Sequence, residues 1–284
     1  MLVYLNGSYL HQDDAKVHVS DRGFLFGDGV YEVFRVVHGE IFREQAHLER
    51  LNESLDAMGL DVEKKIRKSL PGVFRELIER NNLIKNEATI YLQITRGAAS
   101  PRTHPWPDPA VEPTIFVASE PFSPHLELQK SGIRVITMAD LRWARCNIKS
   151  VNLLPNTMAR QRALEAGVQS AILIRDGVVT ESPNANIFGV QKNRLITYPA
   201  TNYLLEGITR GVVLEIAMRL NVETDFTGIR EEDLFDLDEI FFTGTTTDIQ
   251  PVVEIDGKPV NSGKPGPVTA KIQQTYHEAL YENR

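Results

Sequence analysis

The sequence contains very little cysteine and no long hydrophobic run. Cys146 is the one cysteine among 284 residues, so an intramolecular disulfide and a cysteine-rich metal site are both excluded. A single cysteine fits a reducing compartment and predicts a cytoplasmic protein. No apolar run approaches the ~18 residues that a membrane-spanning helix requires, which predicts no membrane partner. The N-terminal stretch MLVYLNGSYL has no basic region before a long apolar core, and it therefore predicts no signal peptide.

Positive charge and nucleotide-binding motifs are also scarce. The formal net charge is −7, which gives no indication of a nucleic-acid partner. The sequence has no G-x-x-x-x-G-K-[ST] motif and no G-x-G-x-x-G between a strand and a helix, so a dinucleotide-binding fold is disfavoured. The composition, 42% hydrophobic and 24% charged, is that of a globular protein long enough for two domains.

Strand-like and helix-like patterns both occur along the chain, which predicts a mixed α and β fold. The clearest are a hairpin turn at Asn6-Gly7, a strand over residues 30–37, an amphipathic helix over residues 45–58, and a second helical region over residues 62–81 that is broken at Pro71. The segment SEPFSPH, residues 119–125, has two prolines and mixed polarity and is the best candidate linker. We therefore predict a smaller N-terminal domain over residues 1–120 and a larger C-terminal domain over residues 121–284.

The most informative stretch is CNIKSVNLLPN, residues 146–156. A short run of mixed polarity ends at Ile148, Lys149 follows, and the next segment reads as a helix beginning near Asn156. If it is buried beside a cofactor, a lysine in this position can lose its proton and attack a carbonyl group. On position alone, a surface lysine in a loop is the more common outcome.

Two other segments offer cationic groups for an anion or a carboxylate. Arg50 lies at the edge of the apolar stripe of the helix over residues 45–58, where it either extends to solvent or reaches inward to an anion. A long proline-rich loop carries Arg102 and His104, which point to the same side of an extended segment and can grip a carboxylate. Solvated side chains on a flexible loop are the alternative for this pair.

Three further positions carry polar groups at the ends of predicted elements. Thr209 opens a helix, and TGTTT at residues 243–247 follows a strand, so both offer hydroxyl and backbone N–H groups to an anion. Helix caps and β-turns have the same composition. Glu181 follows a strand and is a candidate general acid or partner for a ring nitrogen, with a solvated turn glutamate as the alternative.

Taken together, five segments resemble one family. DRGFLFGDGVYEV, IKSVN, VVTESPNANIFG, LLEGITR and TGTTTDIQPV occur in the order and at the spacings found in the fold-type IV pyridoxal-phosphate enzymes. These include D-amino-acid aminotransferases, branched-chain aminotransferases and aminodeoxychorismate lyases. The resemblance covers essentially the whole chain and implies a two-domain mixed α and β fold with pyridoxal 5′-phosphate in the interdomain cleft.

The resemblance also assigns roles to single residues. Lys149 matches the lysine that forms a Schiff base with the cofactor and moves the proton between substrate Cα and cofactor C4′. Glu181 matches the glutamate that pairs with the pyridine nitrogen, which makes the ring a better electron sink. The other implied cofactor contacts are the phosphate-binding Arg50, Ile208, Thr209 and Thr245 or Thr246, and Leu205 on one face of the ring.

Within the family, the sequence is most similar to the D-amino-acid aminotransferases. Tyr31, Arg102 and His104 match the three residues that hold the substrate α-carboxylate in that subgroup. The resemblance implies transfer of an amino group from a D-amino acid to a 2-oxo acid, such as 2-oxoglutarate or pyruvate, in two half-reactions. The R-x-H loop resembles one that reaches into the neighbouring subunit's site, which implies a homodimer.

Several alternatives stay open at this point. SPNAN, residues 182–186, replaces a more serine-rich turn of the D-amino-acid subgroup, which leaves the substrate range undecided. The alternatives within the fold are a branched-chain L-amino-acid aminotransferase, an R-selective amine transaminase and aminodeoxychorismate lyase. A binding module that kept the fold without the cofactor is the alternative outside catalysis.

Overall fold

The computed structural model describes residues 1–281 and divides the chain into two compact units. Unit 1 comprises Met1–Ser123 and Ile148–Asn152, and unit 2 comprises Pro124–Asn147 and the chain from Leu153 onward. Within residues 1–281, no helix has both the length and the apolar character needed to cross a membrane.

Unit 1 is built on an antiparallel sheet. Its strands are β1 (Leu2–Leu5), β2 (Ser8–His11), β3 (Gly29–Val37), β4 (Glu40–Ile41), β5 (Ala88–Thr95) and β6 (Thr114–Pro121). They lie in the order β2-β1-β6-β5-β3-β4. Asn6 and Gly7 have positive φ angles of 46° and 93° and join β1 to β2, so the predicted hairpin is confirmed.

Two helices, α2 (Glu44–Ala57) and α3 (Lys64–Arg80), pack against strands of this sheet. Helix α2 confirms the amphipathic helix predicted over residues 45–58. Helix α3 continues through Pro71, so the predicted break there is wrong. Leu70, Phe74 and Leu77 are buried on one face of α3, and this continuous apolar contact compensates for the backbone hydrogen bond that a proline removes.

A short helix, α1 (Arg22–Phe26), precedes β3. The Asp21 side chain accepts a hydrogen bond from the backbone N of Gly23 at 2.8 Å and so caps the start of α1. Gly27 ends α1 with a φ of 68°, a left-handed conformation that glycine adopts without strain. Helix α1 therefore leads directly into the strand that carries Tyr31.

The segment Ile148–Asn152 belongs to unit 1, whereas the sequence placed Lys149 in a domain over residues 121–284. The backbone N of Tyr31 donates to the carbonyl of Lys149 at 3.0 Å, and the N of Val151 donates to the carbonyl of Gly29 at 3.1 Å. These bonds attach the segment to the first residues of β3. The residues on both sides of this segment, up to Asn147 and from Leu153, lie in unit 2. The order of residues in the sequence therefore could not indicate that the segment belongs to unit 1.

Unit 2 is built on a larger sheet of mixed direction. Its strands are β7 (Ile133–Ala139), β8 (Ser170–Arg175), β9 (Val178–Val179), β10 (Asn186–Gln191), β11 (Arg194–Thr197), β12 (Thr224–Asp225), β13 (Ile229–Arg230), β14 (Glu239–Gly244), β15 (Asp248–Ile255) and β16 (Lys258–Pro259). Their order is β12-β11-β10-β14-β15-β7-β8-β9-β13, with β16 beside β15. Strand β7 is parallel to both of its neighbours, β15 and β8.

The helices of unit 2 are α4 (Leu126–Ser131), α5 (Leu154–Glu165), α6 (Ile208–Arg219) and α7 (Pro267–Tyr281), and a 3₁₀ helix spans Glu231–Asp236. Helix α5 packs on β8, and α6 and α7 pack on β14 and on each other. Strands β10 and β14 are buried along almost their whole length, and the Phe188 and Phe241 rings stack across them with centroids 5.2 Å apart. The segment that carries Glu181 leads into β10, and the turn with Thr245 and Thr246 follows β14.

Candidate active site

Lys149 lies beside the ring of Tyr31. Its Nζ is 4.3 Å from the Tyr31 ring centroid, and its backbone N donates to the Ser54 hydroxyl on α2 at 3.2 Å. The Tyr31 ring in turn stacks on Tyr91 of β5, with centroids 5.8 Å apart. The Lys149 residue is half-buried.

Glu32, next to Tyr31 on β3, is the centre of a buried charge cluster. Its Oε1 accepts from Arg50 Nε and its Oε2 from Arg50 Nη2, both at 2.8 Å, and His47 Nδ1 lies 2.8 Å from Oε2. His47 and Arg50 are three residues apart on α2, which puts them on one face of the helix. Arg50 thus points inward, as one of the two alternatives from the sequence requires.

The cluster keeps Glu32 charged. Burial opposes its ionisation, but the charge of Arg50, hydrogen bonds from Arg50 and His47, and the charge of Lys149 together lower the pKa of Glu32 to about 2. Burial lowers the pKa of His47, against the opposing effect of Glu32. A permanent negative charge therefore lies close to the Lys149 amine.

Replacing Glu32 with glutamine is expected to change how stability depends on pH. The pKa of Glu32 is about 2 in the folded chain, against an ordinary value of 4.5. Its stabilising contribution is therefore present above pH 4.5 and is lost as the pH falls toward 2. In urea unfolding, Glu32→Gln should lower the free energy of unfolding by about 3 kcal/mol at pH 7, and the difference should shrink in that acid range.

A matched control is Glu53→Gln, which changes an exposed glutamate on α2, the helix that carries His47 and Arg50. It should leave the free energy of unfolding nearly unchanged at every pH, since exposed charges contribute little. Equal pH profiles for Glu32→Gln and the unmodified protein would contradict the assigned ion pair.

Arg102 and His104 are exposed, and both contact the ring of Phe26. The Arg102 guanidinium carbon is 4.3 Å from the Phe26 ring centroid, and the His104 ring centroid is 5.6 Å from it. The two side chains are thus brought together, as their spacing predicts. Among residues 1–281, no hydrogen bond, ion pair or ring contact joins either side chain to Tyr31, the third predicted carboxylate-binding residue.

In unit 2, Glu181 is buried between three donors. Its Oε1 forms a close ion pair with Arg142 Nη1 and also lies 3.4 Å from the backbone N of Leu205, and its Oε2 accepts from Asn186 Nδ2 at 3.0 Å. Burial raises the pKa of Glu181, while the charge and hydrogen bond of Arg142 oppose that rise. The carboxyl group therefore has a raised affinity for a proton, which suits a partner for a ring N–H.

Arg142 is itself fixed by Asp140. Arg142 donates to both carboxylate oxygens of Asp140, from Nε at 2.9 Å and from Nη2 at 2.8 Å, and Thr180 donates to Asp140 Oδ2 at 2.8 Å. Burial opposes ionisation of Asp140, but the hydrogen bonds and charge of Arg142 outweigh it and lower the pKa of Asp140. Asp140 thus holds Arg142 in the orientation that places one guanidinium nitrogen on Glu181.

Asn186, the first residue of β10, joins Glu181 to two other predicted site residues. Its Nδ2 donates to the carbonyl of Leu205 at 2.8 Å as well as to Glu181. Its Oδ1 lies so close to Gly207 that a Cβ there would collide with it. Glycine at position 207 therefore permits the start of α6, with Ile208 and Thr209, to approach the Glu181 carboxylate.

The start of α6 and the turn after β14 each provide groups for an anion. Gly207 is the N-cap of α6. Among residues 1–281, no side chain accepts a hydrogen bond from the first backbone N–H groups of this helix. Thr209 is buried, and Thr245 and Thr246 are half-buried in the turn between β14 and β15. Thr243, near the end of β14, pairs with Asn186 of β10. The turn with Thr245 and Thr246 therefore begins beside the residue that contacts Glu181.

Comparison with known proteins identifies the family. The model of the family described as Amino-transferase class IV matches residues 29–255. The chain belongs to the class IV aminotransferases. It is 37% identical to a D-alanine aminotransferase of Bacillus licheniformis over 280 residues, which cover 99% of this chain and 97% of the relative. It is 36% identical to a D-alanine aminotransferase of Staphylococcus epidermidis, with 98% of this chain and 97% of the relative covered.

Solved structures of the family have the same fold. A branched-chain amino acid aminotransferase of Escherichia coli matches with a TM-score of 0.89 and 29% identity, covering 97% of this chain and 93% of that one. A branched-chain aminotransferase of Thermoproteus uzoniensis, solved with norvaline, matches with a TM-score of 0.86 and 30% identity, covering 100% and 96%. The predicted fold class, that of the fold-type IV aminotransferases, is confirmed.

Three residues of this aminotransferase were missed in the sequence. Glu32 could have been detected from the alternation of side chains along β3. Val30, Phe34 and Val36 share one buried face with Glu32, and a buried carboxylate requires a partner. Asn186 lies in a turn-like segment, where an asparagine is common. Arg142 lies in the loop ADLRWARC, and no spacing or periodicity connects it with Glu181.

Proposed function

We propose that the chain is a pyridoxal-phosphate-dependent aminotransferase of D-amino acids with a 2-oxo acid, such as 2-oxoglutarate or pyruvate, as acceptor. The observation that carries the proposal is the Lys149 amine, placed 4.3 Å from the Tyr31 ring and next to the Glu32 and Arg50 pair. The D-alanine aminotransferases that match nearly the full chain support the choice of D-amino acids.

The residues fit pyridoxal phosphate by the chemistry of their donor groups. A primary amine at Lys149 suits the aldehyde, and the buried Glu181 carboxyl suits the ring N–H. The uncapped start of α6 with Ile208 and Thr209, the hydroxyls of Thr245 and Thr246, and the Arg50 guanidinium suit a phosphate. Leu205 offers an apolar contact for one face of the ring. When bound, this cofactor supplies an electron-accepting ring that stabilises negative charge at the substrate Cα.

Lys149 is the group that moves the proton at the substrate Cα in this proposal. Its amine faces the Tyr31 ring, and a lysine amine so placed can take the proton from Cα and return it. Glu181 binds the ring N–H of the cofactor in this proposal, and burial raises the pKa of its carboxyl group. Arg142 holds the Glu181 side chain in position.

Arg102 and His104 bind the substrate α-carboxylate, with the Tyr31 hydroxyl as the third donor. Both side chains contact the Phe26 ring. We also propose a homodimer, because the R-x-H loop resembles one that reaches into the neighbouring subunit's site. We further propose a cytoplasmic location, which the single cysteine favours.

Replacing Arg102 with alanine tests carboxylate binding. A hydrogen bond to a charged group contributes about 1.5–3 kcal/mol, so kcat/KM for D-alanine should fall by about ten- to hundred-fold. R-1-phenylethylamine has no carboxylate and should lose little activity. Both substrates are assayed with pyruvate or 2-oxoglutarate, and Arg80→Ala serves as the control because Arg80 lies elsewhere on unit 1, over the ring of Tyr9.

Equal losses on the two amines would mean that Arg102 supports the loop instead of binding carboxylate. The structural likeness to branched-chain aminotransferases makes L-leucine the informative second donor. Strong activity on L-leucine in the unmodified protein would favour the branched-chain function over the one proposed.

A further inference from the structure

Arg22, the first residue of α1, is buried and grips the main chain of the loop that carries Arg102 and His104. Its Nη1 donates to the carbonyls of Thr103 at 2.8 Å and Pro105 at 3.3 Å, and its Nη2 donates to the carbonyl of His104 at 3.1 Å. One side chain therefore fixes three consecutive carbonyl groups, in the segment whose side chains are proposed to bind substrate.

Asp28, the residue directly before β3, orients Arg22. Its Oδ2 accepts from Arg22 Nε at 2.8 Å and from Arg96 Nε at 2.9 Å, and its carbonyl accepts from the backbone N of Arg96 at 3.1 Å. Burial opposes ionisation of Asp28, but hydrogen bonds and charges from the two arginines lower its pKa. Asp28 is thus a charged anchor for both guanidinium groups.

Arg96 holds the same loop at a second point. Its guanidinium carbon is 4.2 Å from the Trp106 ring centroid, and its Nη1 and Nη2 donate to the carbonyls of Gly59 at 2.9 Å and Met58 at 2.8 Å, at the end of α2. Trp106 also lies against Gly59, where a Cβ would collide with its ring. The loop is therefore tied to α2 as well as to α1.

The side chains of the loop rest on α1 itself. The ring of Phe26 lies 4.7 Å from the Arg22 guanidinium carbon and 4.3 Å from that of Arg102, and its centroid is 5.6 Å from that of His104. Arg22 therefore contacts both the backbone of the R-x-H segment and the Phe26 ring on which the Arg102 and His104 side chains lie.

We propose that Arg22, held by Asp28, is a positioning residue that sets the orientation of Arg102 and His104 toward the substrate carboxylate. The proposal rests on the proposed function, because it assumes that these two side chains bind that carboxylate. An arginine is required, since lysine is a single ammonium group that cannot bind Asp28 and three carbonyls together.

The test is Arg22→Lys, assayed with D-alanine and with R-1-phenylethylamine. Loss of one charge-assisted contact should raise KM for D-alanine by about tenfold, with kcat and the kinetics of the amine without a carboxylate nearly unchanged. Amide hydrogen exchange over residues 98–110 should be faster, because the carbonyls of that segment lose their anchor. Arg80→Lys, a surface arginine of unit 1 over the Tyr9 ring, should change neither readout.

The outcomes separate the two proposals when Arg102→Ala is measured in parallel. Selective loss on D-alanine for Arg102→Ala, with unchanged KM and exchange for Arg22→Lys, overturns the positioning role and leaves the proposed function intact. Equal losses on both amines for Arg102→Ala overturn the carboxylate site itself.

A fall in kcat on both amines for Arg22→Lys shows a purely structural role and also overturns the proposal. If Arg22→Lys does not fold, Asp28→Asn keeps both arginines and must give the same selective rise in KM, or the proposal is wrong.

Discussion

Lys149→Ala is expected to lower transamination of D-alanine by about 10³-fold or more, because it removes the amine proposed both to bind the cofactor covalently and to move the proton at Cα. The backbone bonds of Lys149 to Tyr31 and Ser54 do not involve its side chain, so the segment should keep its place. The measurement is turnover with D-alanine and 2-oxoglutarate, together with the absorbance of the protein after incubation with pyridoxal phosphate.

Lys130→Ala is the matched control, since Lys130 is an exposed lysine on α4. It should retain normal turnover and the visible absorbance band of a lysine-bound cofactor. Lys149→Ala should lose both while its thermal unfolding stays close to that of the parent. Near-normal turnover in Lys149→Ala would mean that the whole site has been assigned wrongly.

Glu181→Gln is expected to give the second largest loss, about ten- to hundred-fold in kcat or more, with the cofactor still bound through Lys149. Glutamine keeps the shape of the side chain but has one acceptor oxygen, so it can accept from Asn186 or from Leu205 and not from both. It also removes the charge that favours a protonated ring nitrogen. The measurement is kcat for D-alanine with the absorbance of the bound cofactor recorded in parallel.

The same substitution also removes a charged partner of Arg142. Asp140 still binds that guanidinium through two oxygens, so the protein should fold, with a lower melting temperature. Glu223→Gln, an exposed glutamate of unit 2 near Arg194, should change neither kcat nor stability. Unchanged kinetics in Glu181→Gln would mean that Glu181 is only a buried structural partner of Arg142 and has no role in the reaction.

Local sequence patterns predicted the elements well where burial and periodicity agree. The apolar stripe over residues 45–58 predicted α2, the strand-like pattern over residues 30–37 predicted β3, and Asn6-Gly7 predicted the first hairpin. Pro71 was misjudged, because a local rule for proline competes with the buried contacts of Phe74 and its neighbours, which only the folded unit supplies. The predicted linker partly forms strand, since β6 continues to Pro121 by pairing with β5.

The candidate site was predictable to the extent that a resemblance places residues in known motifs. The predictions for Lys149 and Glu181 arose in that way, whereas the charged residues near them, Glu32 and Arg142, were not predicted. Glu32 contacts Arg50 across 18 positions of sequence, and Arg142 contacts Glu181 across 39. Such pairs depend on how strands and helices pack, and hydrophobic periodicity carries no information about them.

The central claim, that this aminotransferase acts on D-amino acids, is tested most directly by a single half-reaction. The protein loaded with pyridoxal phosphate is mixed with D-alanine, L-alanine or L-leucine in the absence of any 2-oxo acid, and the absorbance of the bound cofactor is followed in time. We predict rapid loss of the band with D-alanine, formation of one pyruvate per site, and at least about a hundred-fold slower change with either L-amino acid, given the discrimination that differently placed charged contacts provide. A rapid change with L-leucine and none with D-alanine would contradict the claim.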